Sequence, residues 1–197
     1  MMQSKLRGLR PFQRVGAPGA LPRRRVSRGQ ALAEFALFVP LLLFMLVGAT
    51  DISALLNDHL NIIYATRSSA RVGATLGTAP QADCAIIGSI QAALSNTHDV
   101  TVQQIIIYKS DNNGNPITDD EDVYPGNAVC NPDGTISPGA LALNWPPSVR
   151  STTPFTEDSI GVEVDFTYTT QYNILGLGQL GSSYDRAVTP MEVVVNS

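Results

Sequence analysis

A run of sixteen residues without a charged side chain, residues 35–50, limits what this chain can form more than any other feature. As an α-helix the run would be about 24 Å long, shorter than the roughly 30 Å hydrocarbon core of a bilayer. Apolar residues resume after Asp51 with Ile52, Leu55 and Leu56, so a tilted helix or a locally thinner bilayer would close the difference. We therefore predict a membrane-spanning helix here, and not the buried helix of a soluble protein.

The charges are distributed unevenly along the chain. Residues 1–28 hold eight of the thirteen Lys and Arg residues and no acid, whereas residues 29–197 hold five basic and seventeen acidic residues, a net charge of −12. A basic flank before an apolar helix favours a cytoplasmic N-terminus. We expect residues 1–28 to be disordered and the chain beyond the helix to be periplasmic or extracellular. The acidic remainder argues against a nucleic-acid partner, because phosphate binding requires clustered basic residues.

Three fates are open to such an N-terminal segment. It could remain as an uncleaved signal anchor, be cut as a signal peptide after Ala49, or lose its leader before the apolar run. Glu34 stands five residues after Gly29, where the apolar helix begins. A carboxylate is costly in lipid, so we expect a membrane protein to keep it there only if the charge has a use. This favours the third fate.

Residues 29–35, GQALAEF, resemble the processing site of type IV prepilins. In that class a dedicated peptidase cuts after the glycine on the cytoplasmic face and leaves the helix in the membrane. The cut would follow Gly29 and make Gln30 the new first residue, with Glu34 fifth and Phe35 sixth. The processing residues implied by the resemblance are therefore Gly29, Gln30, Glu34 and Phe35.

The pattern over about residues 28–76 resembles the TadE-like family of pilus-assembly pseudopilins. That family has an RGQ-alanine-glutamate-phenylalanine start, a proline in the apolar helix, an aspartate at its end and an A-R-x-G-A stretch about twenty residues later. The residues that fill these places, and to which the resemblance assigns a role in assembly, are Glu34, Pro40, Asp51 and Arg71. The implied partners are a prepilin peptidase, other pilin or pseudopilin subunits, the pilus-assembly machinery and membrane lipid.

The resemblance also implies a role for the Glu34 carboxylate. Cleavage would free an amine at residue 30, and a carboxylate in a low-dielectric helix bundle is stabilised by a cationic partner. That partner would be the new N-terminus of the same or of a neighbouring subunit. The domain organisation that follows is a cleaved basic leader over residues 1–29, a transmembrane and extended amphipathic helix over residues 30–77, and an extracytoplasmic domain over residues 78–197.

Residues 51–76 continue the helical pattern beyond the apolar run. Apolar side chains recur at the 3-4-4 spacing of one helix face, at Ile52, Leu55, Leu56, Leu60 and Ile63. Arg67 and Arg71 are four residues apart and therefore share a face. Either this face is solvated, or it contacts the acidic outer domain or a partner subunit. Gly73, Gly77 and Pro80 end the pattern.

The outer domain is predicted to combine a short helix with an antiparallel sheet. Residues 84–94 favour a helix, and residues 100–108, 159–172 and 184–195 favour strands. In the second strand the apolar residues alternate with polar ones, so we expect a buried face packed on a helix and a wet face. Residues 173–182 are expected to form a glycine-rich loop. The fold class is α+β: a long N-terminal transmembrane helix followed by a pilin-like extracytoplasmic domain.

Residues 110–157 contain seven of the thirteen prolines and are predicted to form a long irregular loop. Cys130 lies in this loop and Cys84 lies in the short helix. Two cysteines in a secreted or periplasmic domain usually pair, so we predict a Cys84–Cys130 disulfide. Two separate thiols are the alternative, which would apply in the cytoplasm.

A weak calcium pattern lies in the same loop. The residues at positions 1, 3, 5, 9 and 12 of a calcium-loop spacing are Asp111, Asn113, Asn115, Asp119 and Asp122. Pro116 occupies the position where a turn glycine is needed, and Asp122 replaces the bidentate glutamate. A solvated acidic loop therefore explains these residues better, and we predict no metal site.

The sequence contains no recognisable active site. Its two histidines, His59 and His98, have no cysteine or acid at metal-ligand or triad spacing. We predict a structural protein without a cofactor: a minor pilin or pseudopilin of a tight-adherence (Flp-type) pilus or a related secretion system. The main alternative is a signal-anchored or secreted binding domain, such as an adhesin, with no pilus role. A membrane-tethered hydrolase is the third possibility.

Overall fold

The computed structural model describes residues 28–97, 99–169 and 179–193. Its fold is α+β, as predicted, with a long helix α1 (Arg28–Leu76), a short helix α2 (Ala82–Leu94) and antiparallel strands. The strands are β1 (Val100–Ser110), β2 (Pro116–Pro125), β3 (Val129–Cys130), β4 (Ile136–Ser137), β5 (Ala142–Leu143), β6 (Ser159–Thr169) and β7 (Gln179–Pro190). One 3-10 turn, Pro147–Val149, lies between β5 and β6. The chain divides within α1, between Leu42 and Leu43, into two compact units.

The main sheet belongs to the second unit and has the strand order β5-β2-β1-β6-β7. The central pair β1 and β6 places Ile105 opposite Val164 and Ile107 opposite Val162. These four side chains are buried, since residues alternate between the two faces of a strand and this face is covered by helices. β3 and β4 form a separate two-stranded ribbon.

Both helices contribute to the core on that covered face. Small and apolar residues from the second half of α1 are buried there, including Ile62, Ala70 and Ala74. Gly73 allows α1 to approach closely, because a Cβ atom at this position would lie 2.8 Å from the side-chain tips of Ile86 and Ile160. α2 adds its own apolar side at Ile86, Ile87 and Ile90. The predicted burial of one face of the β6 segment is confirmed.

The prediction of an irregular loop over residues 110–157 is wrong for residues 116–125, which form β2 inside the main sheet. The acidic run there has low intrinsic strand preference. Pairing with β1 overrides that preference: Asp122 lies opposite Ile107 and Tyr124 lies opposite Ile105, and both side chains face the core. Burial of Asp122 requires a cationic partner that sequence spacing did not reveal.

The prediction of a strand over residues 184–195 is also partly wrong. β7 starts at Gln179 and ends at Pro190, because proline cannot donate a further ladder hydrogen bond. Residues 179–182, predicted as part of a glycine-rich loop, belong to β7. The predictions for residues 1–27, for residues 170–178, for His98 and for residues 194–195 lie outside the described residues.

The face of the sheet that points away from the helices, which we call the outer sheet face, is not simply wet. Gly161 lies directly against the ring of Tyr108. A Cβ atom added at position 161 would come within 2.2 Å of that ring. Glu163 is 8% exposed. The expectation of a fully solvated face along β6 is therefore wrong at these two positions.

Candidate assembly site

The first part of α1 presents large apolar side chains to its surroundings. Leu32 is 69% exposed, Phe35 67% and Leu37 75%, and the most apolar 18-residue window of the helix has none of its surface buried. The mean hydropathy of that window, 2.3, and the length of the helix are sufficient for a membrane crossing. In water so large an apolar surface would be unfavourable by about 25 cal/mol per Å². This segment therefore needs lipid or other apolar helices around it.

The four predicted processing residues lie together in the first turns of α1. The amide Nε2 of Gln30 donates a hydrogen bond to Oε1 of Glu34 at 3.1 Å. Glu34 is exposed, so its carboxylate is accessible to a further donor. No other part of the described chain lies within 4 Å of a Cβ built at Gly29. The Cβ side of Gly29 is therefore free of contacts from the described chain.

Pro40 and Asp51 lie in the same continuous helix. Pro40 lies inside α1, which continues past it to Leu76. Just before and after Asp51, Thr50 donates to the carbonyl of Val47 at 2.7 Å and Ser53 donates to the carbonyl of Ala49 at 2.8 Å. Because the helix itself satisfies these hydroxyl groups, they can enter an apolar environment at low cost.

Arg67 and Arg71 lie on the exposed side of the second half of α1. They border a shallow groove whose described lining residues all belong to this helix: Tyr64, Arg67, Ser68, Arg71, Val72, Thr75 and Leu76. Neither guanidinium forms an ion pair within the described part of the chain. We refer to these seven residues as the basic face of α1. Of the alternatives left open by the sequence, an ion pair between either arginine and the protein's own outer domain is not found in the described residues.

A buried charge cluster joins three segments of the outer domain. Arg150 Nη2 lies 2.5 Å from Asp83 Oδ1 of α2 and 3.3 Å from Asp122 Oδ2 of β2. Its Nε and Nη2 also donate to the carbonyl oxygen of Trp145, whose ring centre is 4.6 Å from the guanidinium carbon. All three charged side chains are at most 5% exposed. The cluster therefore holds α2, β2 and the 145–150 segment together.

This cluster contains one more negative than positive group when both acids are ionised, and its burial affects their proton affinity. Burial raises the pKa of Asp122 to about 6, although the backbone N–H of Trp145 donates to it at 2.8 Å and Arg150 lowers it. The hydroxyl of Tyr124 donates to Asp83 Oδ2 at 3.0 Å. Burial, and then the Asp83 charge, raise the pKa of Tyr124, so it remains a donor.

The five residues of the calcium pattern are not brought together. Asp111 accepts the backbone N–H groups of Asn113 at 2.8 Å and Asn115 at 2.7 Å, and the Asn115 N–H is the main cause of its lowered pKa. Asp122 points instead into the buried cluster around Arg150. Asp119 lies in β2 with a positive φ of 68°. The solvated-loop interpretation is also wrong for Asp122, which is fully buried.

The predicted disulfide is confirmed: Cys84 of α2 and Cys130 of β3 are bonded, with Cα atoms 4.9 Å apart. The bridge attaches the small β3–β4 ribbon to α2. Closing a loop with a sequence separation of 46 contributes about 4 kcal/mol in the chain-entropy treatment. It therefore fixes part of the region that the sequence suggested was irregular.

On the outer sheet face, sequence reasoning missed a second ionic contact. Glu163 Oε2 lies 2.6 Å from Arg186 Nη2 and accepts from Arg186 Nε at 2.9 Å. The guanidinium lies 6.0 Å from the ring centre of Tyr108, and burial raises the pKa of that phenol to about 12. The sequence signal for close packing on this face was Gly161, in a strand whose other residues are larger, because a glycine leaves room for an aromatic ring such as that of Tyr108.

His59 has a partner within the outer domain. Its Nδ1 lies 3.0 Å from the hydroxyl of Tyr168 on β6. Burial, and then the charge of Asp58, raise the pKa of Tyr168 to about 12, so the phenol stays protonated at neutral pH. This contact links α1 to the sheet and gives His59 a structural role.

The TadE-like protein family model matches residues 29–71. The match starts at Gly29, includes the exposed apolar helix and ends at Arg71, so the predicted resemblance is confirmed over this range. The comparisons with curated proteins and with solved structures gave no match.

Proposed function

We propose that this chain is a minor pilin or pseudopilin of a tight-adherence (Flp-type) pilus or a related secretion system. The observation that carries the proposal is the family match that begins at Gly29 and is followed directly by a helix with an unburied apolar window. TadE-like proteins are associated with pilus assembly, and the role proposed here is structural rather than catalytic. The partners are other pilin or pseudopilin subunits and the assembly machinery.

In this proposal a prepilin peptidase cuts between Gly29 and Gln30 on the cytoplasmic side. The basic leader is removed, and the apolar part of α1 stays in the bilayer as a single span. The outer domain then lies in the periplasm or outside the cell. The basic residues before the span support this orientation, because such flanks favour the cytoplasm.

Cleavage also creates the charge that Glu34 needs. A free amine at Gln30 lies close to the carboxylate, since the Gln30 side chain already contacts Glu34 in the first turn of α1. A buried carboxylate with a cationic partner is far less costly than one without. Pairing within one subunit or between neighbouring subunits would therefore favour helices that pack side by side in lipid.

The cleavage step is tested by the mass of the mature N-terminal peptide from the full chain expressed in its host. We expect a start at Gln30, and we expect Gly29→Leu to retain the leader. Gly48→Leu is the matched control, because a Cβ at either glycine has no neighbour from another part of the described chain within 4 Å. A start at Thr50 or Met1 in the unaltered protein would overturn the proposal in favour of a secreted or signal-anchored binding domain.

The assembly step is tested with Glu34→Leu. We expect this variant to insert in the membrane and to be cut normally, but to be lost from complexes that co-purify with the pilus machinery. Glu157→Leu makes the same change at an exposed acid in the loop before β6 and should co-purify normally. Normal incorporation of the Glu34 variant would contradict the role given to this carboxylate.

A further inference from the structure

Only two of the basic side chains beyond residue 28 lack an acidic partner within the described chain. Five such residues exist: Arg67, Arg71, Lys109, Arg150 and Arg186. Lys109 pairs with Asp158 at 2.9 Å, and Arg150 and Arg186 form the ion pairs described above. Arg67 and Arg71 remain, and both lie on the basic face of α1. The two cations that form no ion pair in the described residues therefore lie at one place.

Around these arginines the basic face carries three apolar side chains, of which Tyr64 is exposed and Val72 and Leu76 are half-buried. The ring of Tyr64 is 64% exposed, and Val72 and Leu76 line the same groove. One acid of the same chain reaches the end of this surface: Glu192 accepts a hydrogen bond from Thr75 at 3.3 Å. It forms no ion pair with Arg71. Apolar contact area with two available guanidinium groups is the composition of a protein-binding surface that selects an acidic partner.

The outer sheet face has the complementary composition. Glu121 and Asp165 lie on it, as their cross-strand partners Tyr108 and Tyr184 show. Both acids are half-buried and form no ion pair in the described residues. The third acid of this face, Glu163, is already paired with Arg186. Within the described residues, two acids of this face and two arginines of the basic face are therefore without an ion pair.

Exposed apolar side chains accompany these acids. Tyr184 is 59% exposed and Val188 is 38% exposed, and both lie on the outer sheet face of β7, opposite Asp165 and Gly161 respectively. Asp133 and Glu157, which also form no ion pair in the described residues, lie in loops. The outer sheet face thus combines apolar area with two carboxylates that form no ion pair in the described residues, a composition complementary to that of the basic face.

The two surfaces cannot meet within one molecule. α1 packs on the face of the sheet that carries Val162 and Val164, whereas Glu163 and Asp165 alternate with them on the opposite face. The sheet itself separates the basic face from the outer sheet face. A contact between them must therefore join two copies, and a contact between different surfaces is heterologous, so it can repeat into an open chain.

We propose that the basic face of α1 binds the outer sheet face of a second copy of this chain, with Arg67 and Arg71 next to Glu121 and Asp165. The inference deepens the proposed function and rests on it for bringing neighbouring copies into one membrane assembly. Because the interface is heterologous, each copy offers one surface to each of two neighbours. The charged pairs set the register, and the apolar side chains supply the buried area.

The test is cross-linking of two full-length, differently tagged chains in the membrane. One chain carries Ser68→Cys in the basic face and the other carries Val188→Cys in the outer sheet face, and a short bis-maleimide is added. We expect a heterodimer from the mixture and at least about tenfold less dimer when either variant is present alone. Phe155→Cys replaces Val188→Cys as the control, because Phe155 is 99% exposed in a loop, and it should not cross-link to Ser68→Cys.

Charge reversal gives the decisive comparison. Arg67→Glu with Arg71→Glu in the first chain should lower the cross-link about tenfold, and so should Glu121→Lys with Asp165→Lys in the second. Combining the two reversed chains should restore it. Glu157→Lys with Asp133→Lys in place of the sheet reversal should rescue nothing. The proposal would be overturned if the Glu157→Lys and Asp133→Lys variant restored the cross-link, or if the cross-link yield stayed unchanged in every charge-reversed pair.

Unfolding temperatures of all the variants establish that the reversed chains are folded. Cross-linking of Ser68→Cys to a different protein, with no product from Val188→Cys, would overturn the second copy as the occupant. This result would leave the proposed function intact if the mature chain still began at Gln30. An uncut chain that still gave the rescued cross-link would overturn the pilin assignment and support the interface.

Discussion

The two halves of α1 differ in side-chain size and in burial, although they form one continuous helix. In the first half the side chains are large and exposed, as at Phe38 and Phe44, which are 64% and 52% exposed. In the second half small side chains such as Ala65 and Ala70 are fully buried. Backbone conformation is therefore not what separates an anchoring segment from a packing segment.

The difference follows from what each half must contact. Large apolar side chains maximise the area transferred from water to lipid, and they need no particular neighbour. Small side chains let a helix backbone approach a sheet closely, as Gly73 does against Ile86 and Ile160. The second half can consequently form specific contacts with the sheet. In this part of the molecule a charged side chain is either exposed, as Arg71 is, or enclosed, as Arg150 is.

The largest expected effect is on the free energy of unfolding, when the enclosed Arg150 is replaced and compared with an exposed arginine. Arg150→Met should leave Asp83 and Asp122 buried without their cation and lower the free energy of unfolding by about 3–5 kcal/mol. Arg71→Met, the same change on the exposed side of α1, should alter it by less than about 0.5 kcal/mol. Chemical denaturation of both variants measures the difference. Equal effects would mean that burial does not distinguish the two arginines.

The next effect concerns pH: the pKa of the enclosed Asp122 is raised, whereas the pKa of an exposed acid such as Asp133 is lowered by hydrogen bonds from Thr135. The folded domain holds the Asp122 proton up to a pKa of about 6, whereas the unfolded chain releases it near about 4. Between these values the native state binds more protons, so the free energy of unfolding should fall as pH rises from about 4 to about 6, by up to roughly 3 kcal/mol.

This pH dependence is measured by denaturation across that range, with Asp122→Asn as the reference. The asparagine cannot titrate, so the stability of the unaltered protein relative to the variant should decline with rising pH and level off above about pH 6. A relative stability that increases over the same range would show that Arg150 lowers the Asp122 pKa more than burial raises it.

The smallest effect is at the glycines of α1. Gly73→Leu forces a side chain against Ile86 and Ile160 and should destabilise the domain by about 1–2 kcal/mol. Gly48→Leu makes the same change in the first half, where no other part of the described chain lies within 4 Å of the added Cβ. Both variants gain the same helix preference, so the difference between their melting temperatures reports packing alone. Equal melting temperatures would refute the close approach at Gly73.

Regular elements with a strong hydrophobic pattern were predictable from the sequence. α1 extends from the predicted apolar run to Leu76, α2 covers the predicted residues 84–94, and β6 buries the predicted alternate residues from Ile160 to Tyr168. These patterns are local, since every residue that defines them lies within a few positions of the next. The predicted disulfide was also correct. With two cysteines in the chain, only one intramolecular pairing was possible.

β2 and the ion pairs were not predictable in the same way. The acidic run at Asp119–Asp122 resembles a solvated loop until its strand neighbours are known, because strand preference depends on what lies across the pair. Arg150 is 67 residues from Asp83 and 28 from Asp122. Sequence spacing gives no information about contacts over such separations, so the buried cluster emerged only with the fold.

The sequence by itself determined which segment is apolar enough to cross a membrane, where basic residues flank it and which motif follows Gly29. Hydropathy, charge order and short motifs are carried by neighbouring residues, and they need no fold to be recognised. Only the tertiary structure decided that Arg150 and Arg186 are paired, while Arg67 and Arg71 form no ion pair in the described part of the chain. Whether a charge is neutralised depends on which distant side chains share its space, and chain folding alone brings them there.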